Sequence, residues 1–242
     1  MSKSLFIVTS AIHTRFGVYN AHQRLQQTIE TFKSIRQRCD ASIILIDAGD
    51  QIISDEDVSL LKLYASDVLQ FSNDELVKAI QKDENCFFVK SFLEILLLKS
   101  TFTEILKHPD LKEYSRIFKI SGRYVLNDYF DYQKHLEQSN KITIKSSMAS
   151  IYSTEHWAIK ESATEYYRQY MTRLWSFDTK LLPNIIEAYQ NMQTNLINLV
   201  HNNKFQDIEH LMFCHLDKSL ITEFNTIGVQ GTIAPNGVLF ID

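Results

Sequence analysis

Glycine and proline are scarce, six and three in 242 residues. That leaves little material for a Gly-rich phosphate loop, a collagen-like stretch or a long flexible linker. Cysteine offers no usable pairs: Cys39, Cys86 and Cys214 are odd in number, far apart and form no Cys-x-x-Cys. Neither a structural zinc site nor a disulfide framework is expected, and buried free thiols in a reducing cytoplasm are the simpler reading. Excess charge of one sign is also missing. The net charge is −4 with both signs interspersed, so no basic stripe announces a nucleic acid, although a local cluster could hold a diphosphate. Long apolar runs are absent. Leu5 to Val8 is too short for a signal peptide's apolar region, and Leu93 to Leu98 is broken up by Lys90, Glu94 and Lys99. The expectation is a cytoplasmic chain without a membrane span, for which peripheral membrane association stays open.

Familiar catalytic strings are missing as well. No GxGxxG marks a dinucleotide site, no GxxxxGK[ST] a P-loop, no GxSxG a nucleophile elbow and no HExxH a zinc helix. What remains is an ordinary globular composition, 45% hydrophobic and 22% charged, with fifteen Phe and eleven Tyr that rule against disorder.

Periodicity organises it. Leu5-Phe6-Ile7-Val8 reads as a buried strand, and a polar loop from Ala11 to Asn20 follows. Ala21 to Arg38 then sets Leu25, Ile29, Phe32 and Ile35 on one helical face, and Ser42 to Asp47 is a second buried strand. Strand, helix, strand is a βαβ opening. A short helix over Asp55–Ser66, a strand over Val68–Phe71 and a long helix over Cys86–Leu106 continue the pattern, the last stopped near Pro109. Arg116 to Ile120 is a fourth strand running into Ser121-Gly122, and Lys141 to Ile144 a fifth. Ser146 to Trp157 is ambiguous, and period does not decide between strand and helix for Tyr166 to Phe177. Helices over Leu181–Val200 and Ile208–Cys214 and two short strands, Ile227–Gly231 and Asn236–Phe240, complete the chain. The fold class is α/β: one domain over 1–242, a mainly parallel central sheet flanked by helices.

In an open α/β sheet ligands bind beyond the carboxyl ends of the strands, and polar residues gather there. The first strand delivers Ser10 and His13, which either shape the loop or meet a ligand. Asp47 ends the second, able to cap a turn or to bond a nucleobase or ribose. The fourth delivers Lys119, Ser121, Gly122, Arg123 and Tyr124. A lysine inside Ile117-Phe118-Lys119-Ile120 is costly to bury without an anionic partner. Gly122 permits close backbone approach and Arg123 offers a planar fork for phosphate or carboxylate. A salt bridge would explain either charge singly; both at one strand end favour a ligand. Lys90 and Glu94, four apart, match a solvated helical pair. Asp207-Ile208-Glu209-His210 places carboxylates and an imidazole together, as a general base requires and as surface helices also do.

Taken together, Ser10, the Arg24-to-Thr31 and Ser34-Ile35-Arg36 segment, Ile44-Leu45-Ile46-Asp47, Lys90-Ser91 with Glu94, Lys119-Ile120-Ser121-Gly122-Arg123-Tyr124, Thr172 to Phe177 and Ile208-Glu209-His210 resemble small bacterial and viral nucleotide-sugar glycosyltransferases of the A-type (GT-A) fold. The resemblance spans nearly the whole chain. It implies a nucleotide-binding half (1–130) and an acceptor-side half (131–242), and a sugar moved from a nucleotide-sugar donor to a glycan or other hydroxyl acceptor in surface-glycan synthesis. Arg24 falls among the donor-side residues, Arg173 is implied to meet a phosphate or the acceptor, and Glu209 with His210 takes the place of the base. The family's metal-binding Asp-x-Asp reads Lys119-Ile120-Ser121 here. No metal ligand is therefore assigned. Lys119 and Arg123 are expected to replace Mn or Mg wholly or partly, with Asp128 and Asp131 as reserve ligands. The rival readings are a non-catalytic nucleotide-sugar-binding module, a nucleotidyltransferase, for which paired metal-binding carboxylates at a strand end are missing, and a methyltransferase, which would want a Gly-rich first loop.

Overall fold

The computed structural model describes residues 3–150, 168–233 and 237–242. Seven strands form the main sheet: β1 (Lys3–Ser10), β2 (Ala41–Asp47), β3 (Asp67–Gln70), β4 (Tyr114–Ser121), β6 (Ile142–Lys145), β9 (Leu174–Asp178) and β10 (Ile221–Phe224), in the spatial order β10-β6-β9-β4-β1-β2-β3. β1 lies between β2 and β4, parallel to both, and β2 and β3 are parallel. β9 alone among them runs antiparallel to its neighbours β4 and β6. A three-stranded antiparallel sheet of β5 (Tyr124–Leu126), β11 (Val229–Thr232) and β12 (Leu239–Ile241) follows the β4 turn, and β7 (Met148–Ala149) pairs with β8 (Arg168–Gln169).

Strand pleating sends alternate residues to opposite faces, and β1 shows it. Leu5 and Ile7 join one core, Phe6 and Val8 the other. The first core is closed by α4 (Cys86–Lys107), α6 (Leu182–His201) and α7 (Ile208–His215), with Val77 and Ile80 of α3 (Glu75–Gln81). The second is closed by α1 (Ala21–Arg38), with Leu61 of α2 (Asp55–Leu61). Phe6 and Phe118 stack across β1 and β4 with ring centroids 4.4 Å apart. Around Phe102 of α4 pack Trp175, Phe177 and Tyr189, all edge-on. Such burial supplies most of the stabilisation.

α1 starts on a capping box, in which the Asn20 side chain accepts from the Gln23 amide and the Gln23 side chain accepts from the Asn20 amide. α2 ends at Leu61 rather than near Ser66, because the Ser66 amide bonds the Ile43 carbonyl and draws the chain into β3. The undecided stretch before Phe177 resolves at its described residues into two strands, β8 and β9, joined by a turn. β9 is buried on both faces, so alternation carries no signal there. Tyr166 and Tyr167, most of the ambiguous stretch up to Trp157, and Asn236 in the tail lie outside the described residues.

Arg116 is 2% exposed, and burial holds its guanidinium down to about 10. It donates to Ser176 Oγ at 2.8 Å and the Gln138 carbonyl at 2.8 Å, and also to Thr143 Oγ1. Buried His135 reaches the same Ser176 Oγ at 2.8 Å and is pushed down to about 3 by burial, with Arg116 and Lys134 adding, so it stays neutral. This knot ties β4, β6 and β9 together. Arg116→Met should lower stability by about 3 kcal/mol, because the acceptors it leaves have no water to turn to; urea denaturation at pH 7 measures it.

Candidate active site

The carboxyl ends of β1, β2 and β4 open onto one cleft made of two adjoining cavities. The first, about 150 Å³, is lined among others by Ser10, Phe16, Arg24, Gln81, Lys90, Glu94, Ser121 and Arg123. The second, about 250 Å³, shares Lys90, Glu94, Ser121 and Arg123 and adds Tyr124, Thr172, Arg173, Asp207 and Glu209. Nine of the residues singled out by sequence thus meet here. His13, Asp47, Lys119, Gly122 and His210 do not line it and stand behind those that do.

Asp47 is fully buried and accepts from the Ile12 and Gly49 amides, both at 2.9 Å. Burial raises it to about 6, and the two amides partly oppose the shift. The His13 carbonyl accepts from the Asp50 amide at 2.9 Å. Both residues therefore bind the loop after β1 to the end of β2. Gly122 is demanded by close approach. Its amide bonds the Thr9 carbonyl at 2.8 Å, and a Cβ there would meet Thr28 Oγ1 at 3.1 Å. Ser10 Oγ lies 3.1 Å from that Thr28 hydroxyl.

Lys119 follows the pleat of β4: Ile117 faces the α4 side, Phe118 the α1 side, and Lys119 faces α4 again. Its side chain has no solvent exposure and forms an ion pair with Glu94. The ammonium also donates to Ser121 Oγ at 3.0 Å and the Thr172 carbonyl at 2.9 Å. Glu94 therefore pairs across the fold rather than with Lys90, the partner its helical spacing indicated. The lysine's charge is answered internally.

Four other cations stand in the cleft, and among the described residues none forms an ion pair. Arg24 is 6% exposed and is brought down to about 10 by burial and then by Arg123. Burial also lowers Lys90, with Arg123 and Arg24 adding to the shift. Arg123 Nε is buried without a hydrogen-bond partner among the described residues, as is Arg173 Nη1. Arg173 is held by Tyr124 Oη at 2.9 Å and lies 3.9 Å from the Phe240 ring centre.

Glu209, in the first turn of α7, accepts from Thr172 Oγ1 at 2.9 Å. Burial drives its carboxyl up to about 8, and the nearby Asp207 and Glu94 push the same way. Asp207 caps α7 and places Oδ1 2.5 Å from His210 Nδ1, whose Nε2 lies 2.8 Å from Ser150 Oγ. Asp128 pairs with Arg38 at 2.7 Å and Asp131 caps α5 (Tyr132–Leu136), so neither reserve ligand faces the cleft. Sequence reading passed over Phe16, whose ring lies 5.7 Å from the Lys90 ammonium, and Gln81. An aromatic side chain within the polar loop after β1 was the available signal for the first.

No family model matches the sequence, and no curated protein matches it either. Solved structures do. Core-mannan synthase A (CmsA/Ktr4) of Aspergillus fumigatus, in a Mn/GDP form, aligns with a TM-score of 0.52 at 10% identity over 93% of this chain and 73% of its own. Mannosyltransferase Ktr4p of S. cerevisiae aligns with a TM-score of 0.55 at 9% identity over 94% and 70%. The chain has the GT-A fold. Both neighbours are fungal, so they lend no support to a bacterial or viral origin. Among the described residues no helix is long and apolar enough to cross a membrane.

Neutralising only Glu94 strands a buried ammonium. Glu94→Gln should cost about 3 kcal/mol, and Glu94→Gln combined with Lys119→Met should recover most of it. A double-mutant cycle by chemical denaturation checks both.

Proposed function

We propose that this protein is a glycosyltransferase that moves a sugar from a nucleotide-sugar donor to a hydroxyl acceptor in the synthesis of a surface glycan, working in the cytoplasm and able to associate peripherally with a membrane. The observation that carries the reading is the cleft. Cations with no ion-pair partner among the described residues and a carboxyl raised to about 8 converge beyond the strand ends of a GT-A fold. The donor belongs to the half formed by residues 1–130, in the first cavity, with its diphosphate against Arg24, Lys90 and Arg123. Ser10 and Phe16 line the wall offered to nucleoside. The acceptor belongs to the half formed by residues 131–242, in the second cavity, beside Arg173, Tyr124 and Glu209.

Glu209 is the base in this reading. Its carboxylate takes the proton of the acceptor hydroxyl while that oxygen bonds to the anomeric carbon. The bond from that carbon to the diphosphate oxygen breaks, and the nucleoside diphosphate leaves with the electron pair. Thr172 orients the carboxylate, and the Asp207–His210 pair holds the start of α7. Lys119 touches no substrate; through Glu94 and Thr172 it positions the groups that do. A GDP-linked sugar is the first donor to try, since one structural neighbour was solved with GDP.

A general base must be ionised to act. With Glu209 raised to about 8, kcat/KM should climb as pH rises and level off above about pH 8. Glu209→Gln should cut turnover by roughly 10²- to 10⁴-fold and abolish that limb, while nucleotide binding by calorimetry survives. Turnover retained by this variant excludes Glu209 as the base. Nucleotide-sugar binding with neither transfer nor donor hydrolysis makes the protein a binding module instead.

A further inference from the structure

We infer that the diphosphate in this cleft is neutralised by three side chains, Arg24, Lys90 and Arg123, and that no divalent metal is needed to hold it. The inference rests on the donor reading above and concerns how that same site handles charge.

A structural neighbour was solved with manganese and GDP. A hard divalent cation needs several oxygen ligands free to turn toward it. Three carboxylates line the second cavity, Glu94, Asp207 and Glu209, and each has a partner. Glu94 answers Lys119. Asp207 Oδ1 accepts the His210 amide at 3.0 Å and meets its imidazole. Glu209 accepts from Thr172. Asp47 is spent on two backbone amides. Among the described residues no three ligating side chains converge. The described residues do not fit a metal, and the strand end already contains a buried ammonium of its own.

The cations fit an anion instead. Arg24 comes from α1, Lys90 from α4 and Arg123 from the turn after β4, and all three line the first cavity. Each of the first two is lowered by burial and further by its cationic neighbours. Like charges collected in a half-buried cleft cost free energy when nothing lies between them, and a bound diphosphate would turn each repulsion into an attraction. Arg123 Nε, buried and unbonded among the described residues, is a ready donor. Arginine forks and a lysine ammonium give the charge-assisted bonds that phosphate oxygens take best. Lys119, the residue whose sequence position stood for the metal, is not a ligand in this scheme. Its ion pair keeps Glu94 from neutralising the cluster.

Calorimetry with inorganic pyrophosphate and with GDP, each in EDTA and in manganese, tests this on the intact protein. Both should bind in EDTA with affinities within about threefold of those in manganese. Lys90→Gln and Arg123→Gln should each weaken binding by roughly 10-fold or more, the loss of one charged hydrogen bond. Binding of either probe only with manganese overturns the inference and leaves the donor reading standing. Pyrophosphate bound in EDTA without affinity for any nucleotide keeps the metal-free anion site and sinks the donor reading. Unchanged affinity in both variants, or no binding of either probe, overturns it as well.

Discussion

A lysine with no solvent exposure at the end of a central strand must find a counter-charge, and much of this molecule is arranged around that need. Glu94 supplies the charge, Ser121 and the Thr172 carbonyl the remaining bonds. Pairing β4 to α4 at that point sets the rotation of the helix and turns Lys90, one turn earlier, into the first cavity. Drawing Thr172 to the same ammonium brings the start of β9 to the end of β4, and Thr172 in turn holds Glu209. One ion pair thereby links the first cavity to the second through short, directional contacts.

The framework was legible in sequence where apolar residues had room to repeat. β1, β2 and β4 show as buried runs, and α1, α4 and α6 are long enough for a helical face to emerge. Shorter pieces escaped. α3, β5, α5 and β10, at seven, three, five and four residues, are too short for a period to emerge. The candidate site was legible as a set of strand ends, less so as partnerships. Helical spacing joined Glu94 to Lys90, but a neutral-seeming surface pair lost to a desolvated one, because the buried ammonium had more to gain. Arg116 served in sequence only to mark the start of a strand, although its side chain closes a knot between residues distant in sequence. Asp47 sat where a ligand contact was conceivable, yet adjacent amides claimed its oxygens first.

The cleft is also an electrostatic compromise. Cations and carboxylates meet across the two adjoining cavities, and burial together with like-charged neighbours lowers Arg24 and Lys90 and raises Glu209. Such clustering of shifted groups costs stability, as functional sites commonly do.

The position of β1 has a consequence for assembly. It lies in the middle of the sheet but comes early in the chain, so its two edges are claimed at different times. β2 can dock as soon as α1 has turned the chain back, whereas the other edge waits for β4, which begins only at Tyr114. Until then Phe6 has no Phe118 to stack on, and one row of backbone amides and carbonyls stands open. Slow closure through distant contacts is built into this topology. Docking of β4 against β1 is the step that turns this edge into the interior of the sheet.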